Sequence, residues 1–270
     1  MPEIGLETVV MGTGIAFKKK AGDLILEEKI DKTFTLMGKE TNSKFQELIT
    51  EMPMEYILVA EKIISYAKDV MKKEVADSIY ITLTDHISIA VNRYKEGNPL
   101  RNAFLWDIKQ FYPNEFSIGS EAIHIVKADL GIEFLEDEAA FMALHFVNAQ
   151  LNEDMTLVYN MTKFIQEVTN IIKAHFQIEY NGQALSQYRL VNHLKFFSQR
   201  LFQNTTYEDN ADASMLEVLK DRYEQEYQCA MDIAKFVKEK YHHQMSDEEI
   251  LYITVHLTRV IKEARNSQNE

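Results

Sequence analysis

Apolar residues in this chain follow two different periods. Ile30-Asp31-Lys32-Thr33-Phe34-Thr35-Leu36 alternates apolar and polar positions, and residues 6–17 mix β-branched side chains with glycine. Five of the nine glycines (Gly5, Gly12, Gly14, Gly22, Gly38) fall in this first part. Alternation punctuated by glycine predicts short strands and turns. A two-stranded hairpin alone is marginal in water, so this part needs further strands or a partner chain. From Ser43 onward the period becomes helical. Ser43-Lys44-Phe45-Gln46 fits a capping box and marks the expected start of the first helix. Further helices are expected over 54–71, 77–93, 100–111, 120–130, 137–151, 186–202 and 215–241. A last one is expected to begin at the capping box Ser246-Asp247-Glu248-Glu249. Pro53, the Gly97-Asn98-Pro99 turn, Pro113 and Gly131 punctuate the first half, and no proline follows Pro113, which suits an all-helical second half. Residues 151–155 read as a linker and the polar stretch 203–212 as a loop.

The helical part contains one pattern twice. Leu83-Thr84-Asp85-His86-Ile87 returns as Leu190-Val191-Asn192-His193-Leu194, each copy closing on an arginine seven residues past the histidine, Arg93 and Arg200. A second histidine follows in each copy. Glu138 to His145 matches Glu249 to His256, with the same seven-residue interval. A period above a hundred residues means a duplicated domain, because solenoid repeats run to ~20–50 residues. The expected fold is therefore mainly α, with two tandem homologous helical bundles over 43–154 and 155–270. A short antiparallel β domain over 1–42 precedes them.

Composition narrows the function. The net charge of −13 argues against a chain that coats nucleic acid over its whole surface. Residues 1–36 carry only −1 of it, with Lys18-Lys19-Lys20 in a row, so a nucleic-acid contact belongs at this end and is local. Cys229 is the single cysteine, which excludes an intrachain disulfide and points to a reducing compartment. No apolar run approaches the ~18 residues of a membrane span, and no signal peptide is visible. The expected location is the cytoplasm.

The four repeated histidines are the candidate chemistry. His86 shares an apolar stripe with Leu83, Ile89 and Ala90, and Arg93 lies two turns on. Glu138 and Glu249 lie two turns before His145 and His256 on their own helices. An imidazole held near an acid is fixed as one tautomer, and its free nitrogen is a nucleophile when neutral, as it mostly is at pH 7. A single helical histidine is ordinarily structural. Packing alone, however, does not call for the repeated Asp85 or Asn192 and the repeated arginine. His124, His175, His242 and His243 have no such echo and read as structural or surface residues. A metal site is a weaker alternative, because no pair among the four has helical metal-ligand spacing, and no metal or other cofactor is expected. No nucleophile elbow, P-loop or dinucleotide fingerprint is present, so the chain is not read as an enzyme; a metal-dependent helical enzyme is the remaining catalytic alternative.

These stretches, together with Val9-Val10-Met11-Gly12-Thr13-Gly14-Ile15-Ala16-Phe17, resemble the BglG/SacY/LicT family of transcriptional antiterminators, in particular the LicT-like members that act on β-glucoside operons. The resemblance covers essentially the whole chain. It implies a dimeric β-sheet RNA-binding domain followed by two regulation domains controlled by the sugar phosphotransferase system. By resemblance, His86 and His145 accept phosphoryl groups in the first, where the sugar permease (enzyme II) drives inhibition. His193 and His256 accept them in the second, where the phosphocarrier HPr drives activation. The active homodimer would bind a leader-RNA hairpin and keep the overlapping terminator from forming. A phosphoryl group adds ~−1.5 to −2 charge, which at a two-fold interface either repels protomers or recruits Arg93 or Arg200.

Family members carry a further first strand with an Asn-rich turn, and this chain begins at Met1 without it. The RNA-binding domain is therefore expected to lack that strand. Gly12, Gly14 and Phe17 match the RNA surface that remains. A glycine pair admits close approach of a phosphate or base, and Phe17 suits stacking on an unpaired base. Equally, the glycines form a plain turn and Phe17 enters the core. A phosphorylated interaction regulator without RNA binding is the alternative function.

Overall fold

A computed structural model of the chain describes residues 8–12, 14–30, 32–34, 39–178, 184–203, 205 and 213–267. Two short strands, β1 (Val9–Met11) and β2 (Lys32–Phe34), pair antiparallel with Val9 opposite Phe34. Helices follow: α1 (Lys39–Glu51), α2 (Met54–Met71), α3 (Ile79–Lys95), α4 (Leu105–Phe111), α5 (Pro113–Leu130) and α6 (Glu136–Leu151). The second half holds α7 (Met155–Phe176), α8 (Leu185–Gln203), α9 (Ala213–Arg222), α10 (Glu224–Tyr241) and α11 (Asp247–Ser267). The mainly α architecture with a small antiparallel sheet at its start agrees with the pattern read from the chain.

Four local expectations need correction. The helix expected at Ser43 starts at Lys39, so Ser43 lies inside α1 rather than capping it. The pair Lys44–Glu40, at 2.7 Å one turn apart, supports the extra turn. The helix expected over 100–111 begins only at Leu105. Asn102 Oδ1 accepts the Phe104 amide at 2.9 Å, a local bond that competes with helix. Pro113 interrupts as expected but then opens α5 from its first position, where its missing N–H costs nothing. The stretch 215–241 is two helices, parted at Tyr223, whose backbone (φ −132°, ψ 54°) is not helical. The expected loop over 203–212 lies mostly outside the described residues.

The chain divides into two compact units, residues 1–100 with 118–152 and residues 101–117 with 153–270. In the first, α6 is the central helix: nearly every residue from Asp137 to Ala149 is buried, polar ones included. A helix buried on all sides is part of a core, and its polar side chains must find partners there. α5 crosses it closely. A Cβ added at Gly119 would lie 2.1 Å from the Ala139 carbonyl oxygen, so glycine is what permits the approach. Ile63, Ile64, Leu83, Ile87, Met142 and Phe146 complete the core. The sheet is seated on this unit through a second cluster. Phe34 packs against Phe45 of α1 and Tyr80 of α3, with ring centroids 5.3 and 5.8 Å away. This burial supplies what the two strands lack by themselves.

The second unit is built around α7, α8, α10 and α11, with Phe164 against Phe197 at 5.6 Å. α7 is capped by Asp154, whose carboxylate accepts the Leu157 amide at 2.9 Å. α4 packs here on α7 and α8, although it lies within the first repeat in sequence. Gln166 donates to Asp107 at 2.6 Å, and the Lys195 ammonium sits 4.4 Å above the Tyr112 ring.

Candidate functional site

In each unit the repeated histidines come together in space. In the first, α3 supplies His86 and Arg93, and α6 supplies Glu138 and His145. The His86 and His145 rings lie 4.9 Å apart, centroid to centroid. Glu138 binds across the helix pair. Its Oε2 meets His86 Nε2 at 3.0 Å, and its Oε1 accepts from Arg93 Nη2 at 3.1 Å. The carboxylate is only 6% exposed and the His86 side chain 12%. A buried carboxylate bridging two donors is well compensated. The sequence placed Glu138 with His145 on its own helix; its carboxylate instead goes to α3, a tertiary pairing that periodicity along one helix does not encode. Burial and then the neighbouring His86 push the His145 pKa down to about 3. Its Nδ1 is buried without a hydrogen-bond partner among the described residues, so this imidazole is neutral.

The second unit repeats the arrangement with α8 and α11. His193 and His256 lie 5.6 Å apart, and Arg200 Nη2 reaches Glu249 Oε1 at 3.4 Å. Burial, with smaller contributions from His256 and Arg200, lowers the His193 pKa to about 4. His256 is lowered too, by burial first and then by Arg259 and Arg189. Each first-type histidine also touches an aromatic ring that sequence reasoning missed. Phe141 lies 5.9 Å from His86, and Tyr252 stacks on His193 at 5.4 Å. Both precede the second histidine by four residues, so the repeat itself held the signal.

The other repeated positions take no part in these bonds. Asp85 is exposed on α3, and Asn192 is partly buried on α8. His124 is exposed beside Glu121, His175 pairs with Asp232 at 3.2 Å, and His242 is the left-handed C-cap of α10. Among the described residues no group of three or more His, Cys, Asp or Glu side chains is placed to hold a metal ion. Chemically, each unit offers a pair of imidazoles beside a guanidinium, and burial keeps His145 in the first and His193 in the second neutral. Neutral imidazole nitrogens are nucleophiles, and an arginine stabilises the oxygens of a transferred phosphoryl group.

At the N-terminal end, Gly12 follows β1 and Gly14 has φ +67°, with open space around its Cα. Phe17 is 74% exposed, with the Lys18 ammonium 5.4 Å from its ring centroid. Of the two readings of Phe17, the core one fails. Lys18, Lys19 and Lys20 are all exposed beside it. No helix among the described residues is long and apolar enough to cross a membrane.

Comparison with known proteins gives consistent matches. A family model described as the PRD domain matches residues 61–149 and 166–260, and one described as the CAT RNA binding domain matches residues 2–43. Transcription antiterminator LicT of Bacillus subtilis (strain 168) is 47% identical over 262 residues, covering 97% of this chain and 94% of that protein. The Beta-glucoside operon antiterminator of Dickeya chrysanthemi is 38% identical over 270 residues, covering 100% of this chain and 95% of its own. Transcription antiterminator LacT of Lacticaseibacillus casei is 32% identical, covering 98% and 92%. Among solved structures, the CAT-PRDI part of GlcT is 30% identical with a TM-score of 0.49, covering 55% of this chain and 88% of that one.

Proposed function

The chain belongs to the family of transcription antiterminators built from a CAT RNA-binding domain and two PRD domains, and we propose that it is a phosphorylation-controlled member serving a β-glucoside operon. In this reading residues 1–42 bind a leader-RNA hairpin as part of a cytoplasmic homodimer. Gly12 and Gly14 admit the RNA backbone closely, and Phe17 stacks on an unpaired base. The regulation domains, 43–154 and 155–270, read sugar flux. His86 and His145 take phosphoryl groups from a sugar-specific permease, and His193 and His256 take them from the phosphocarrier HPr.

The observation that carries the regulatory reading is the duplicated pair of imidazoles, each pair beside an arginine already engaged by a glutamate, with burial lowering the pKa of His145 in one and of His193 in the other. A phosphoryl group placed there introduces ~−1.5 to −2 charge against a carboxylate and beside a guanidinium. The local pairing must rearrange, which is what a switch requires. The exposed Phe17 and the lysine run support RNA contact at the other end.

The test is antitermination of a leader-terminator reporter together with binding of the leader hairpin by the purified chain. The chain is expected to bind the hairpin. His193→Ala combined with His256→Ala is expected to abolish HPr-dependent activation. Full antitermination by that double variant without inducer would overturn the histidine assignment. Failure to bind the hairpin would favour a phosphorylated regulator without RNA binding.

A further inference from the structure

The two histidine sites look alike but differ at one oxygen atom. In both, Oε1 of the glutamate accepts from the repeated arginine. Oε2 goes to different places. In the first unit, Glu138 Oε2 meets His86 Nε2 at 3.0 Å. In the second, Glu249 Oε2 accepts the Ser246 backbone amide at 3.0 Å, while Ser246 Oγ accepts the Glu249 amide at 3.2 Å. That reciprocal pair is a capping box, with serine at the N-cap and glutamate three residues on. It holds the glutamate on its own helix. His193 Nε2 is then buried with no hydrogen-bond partner among the described residues.

The cause is visible one residue before each helix. The position corresponding to Ser246 is Leu135, the N-cap of α6, which has no side chain able to cap. Its backbone is already extended (φ −71°, ψ 158°), the conformation a capping serine uses. Leu135 keeps a backbone amide but has no hydroxyl to accept the Glu138 amide, so only half of the box can form there, and the second Glu138 oxygen reaches across to His86 instead.

We propose that the residue at this N-cap, Leu135 in one unit and Ser246 in the other, is a positioning residue that sets the reactivity of the neighbouring histidine. Leu135 leaves His86 clamped by a carboxylate; Ser246 parks the carboxylate and leaves His193 unclamped, so His193 accepts a phosphoryl group in preference to His86. The inference rests on the reading that these histidines are phosphorylated. In the step itself an imidazole nitrogen attacks phosphorus of a donor with a P–N bond. The new N–P bond forms as the old one breaks, and the proton lost by the attacking imidazole goes to the leaving nitrogen. Nε2 of His193 has no partner to give up among the described residues, but attack through Nε2 of His86 must also displace the Glu138 carboxylate, a like charge to the incoming anion, and break a charge-assisted hydrogen bond. Such a bond is strong enough to change a rate about ten-fold or more.

Two measurements on the full chain test this. The first is the histidine tautomer, from long-range ¹H–¹⁵N spectra of protein labelled at histidine. His86 should carry its proton on Nε2, facing Glu138. Leu135→Ser should draw that carboxylate into a capping box and release the preference. Ser246→Leu should move His193 toward the Nε2–H form. The second is site-resolved labelling by phosphoramidate, which needs no partner protein. His193 should label about ten-fold faster than His86. Leu135→Ser should raise His86 labelling several-fold while leaving His193 unchanged, and Ser246→Leu should slow His193. If the histidines label at rates that neither substitution alters, the inference fails and the phosphorylation reading stands. If none of the four labels with phosphoramidate or with phosphorylated HPr, the phosphorylation reading fails and the inference with it. Tautomers that do not respond to either substitution overturn the clamp directly.

Discussion

Gly119→Ala is a sharp test of how α6 is held. An added methyl carbon would lie 2.1 Å from the Ala139 carbonyl oxygen, 2.9 Å from its carbonyl carbon and 3.3 Å from its Cα. All three are backbone atoms, so no side chain can rotate away. α5 must back off from α6 by on the order of 1 Å to restore ordinary contact distances. Overpacking a well-filled core costs ~1–3 kcal/mol and sometimes more, and a backbone clash belongs at the upper end. Alanine returns about 1 kcal/mol of helix propensity relative to glycine. The net expectation is a loss of about 2 kcal/mol in the first unit. With a urea slope of ~1–3 kcal/mol/M, the midpoint of that unit should fall by roughly 1 M. Ser117→Ala, at an exposed position of the same helix, should stay within about 0.5 kcal/mol. The assay is urea unfolding followed by circular dichroism and by hydrogen exchange of α6 amides, which assigns the transition to this unit. Because α6 carries Glu138 and His145, the variant should also disturb the His86 tautomer. An unchanged or raised midpoint would refute the close-approach argument.

Two further outcomes follow from the same structure. Burial and His86 hold the folded-state His145 pKa at about 3, below the ordinary ~6.5 of an unfolded chain; its stabilising contribution is complete above ~6.5 and is lost as pH falls toward 3, at about 1.4 kcal/mol per pH unit. Urea midpoints of the first unit should therefore drop between pH 7.5 and 5.5, and His145→Gln should flatten that slope; an undiminished slope in the variant would refute the assignment. Phe45 is fully buried between the sheet and the first unit's helices, so Phe45→Ala should cost ~3–5 kcal/mol at that junction. Faster amide exchange in β1 and β2 than in α6 would report release of the strands, and uniform exchange would contradict it.

The helical repeat was legible because duplication supplies its own control: two histidines in matched contexts announce a shared structure. The two strands and their antiparallel sense were legible from alternation and glycine. The capping box at Ser246 was legible because its signal lies within four consecutive residues. What a single helix period cannot carry was missed. Glu138 looked like a partner for His145 because both lie on one face of α6, yet its carboxylate is committed to α3. Ile89, counted with the apolar stripe of His86, is 47% exposed, because the stripe turns inward at Ile87 and Ala90 instead. Ser43 looked like a cap because a serine followed by glutamine at the right spacing fits the box, but nothing stops the helix from starting earlier. Phe141 and Tyr252 read as ordinary apolar positions until the rings beside them were placed.

The chain passes from one unit to the other at residues 100–101, 117–118 and 152–153. No single peptide cut therefore yields both repeats whole. A graft that exchanges only residues 153–270 between relatives would leave behind Phe104, Phe111 and Tyr112, side chains buried in the very unit being moved. Inheritance of the second repeat by simple recombination at its sequence border is thereby penalised. Residues 101–117 should drift in step with α7 and α8, their packing neighbours, and not with the repeat in whose midst they are written.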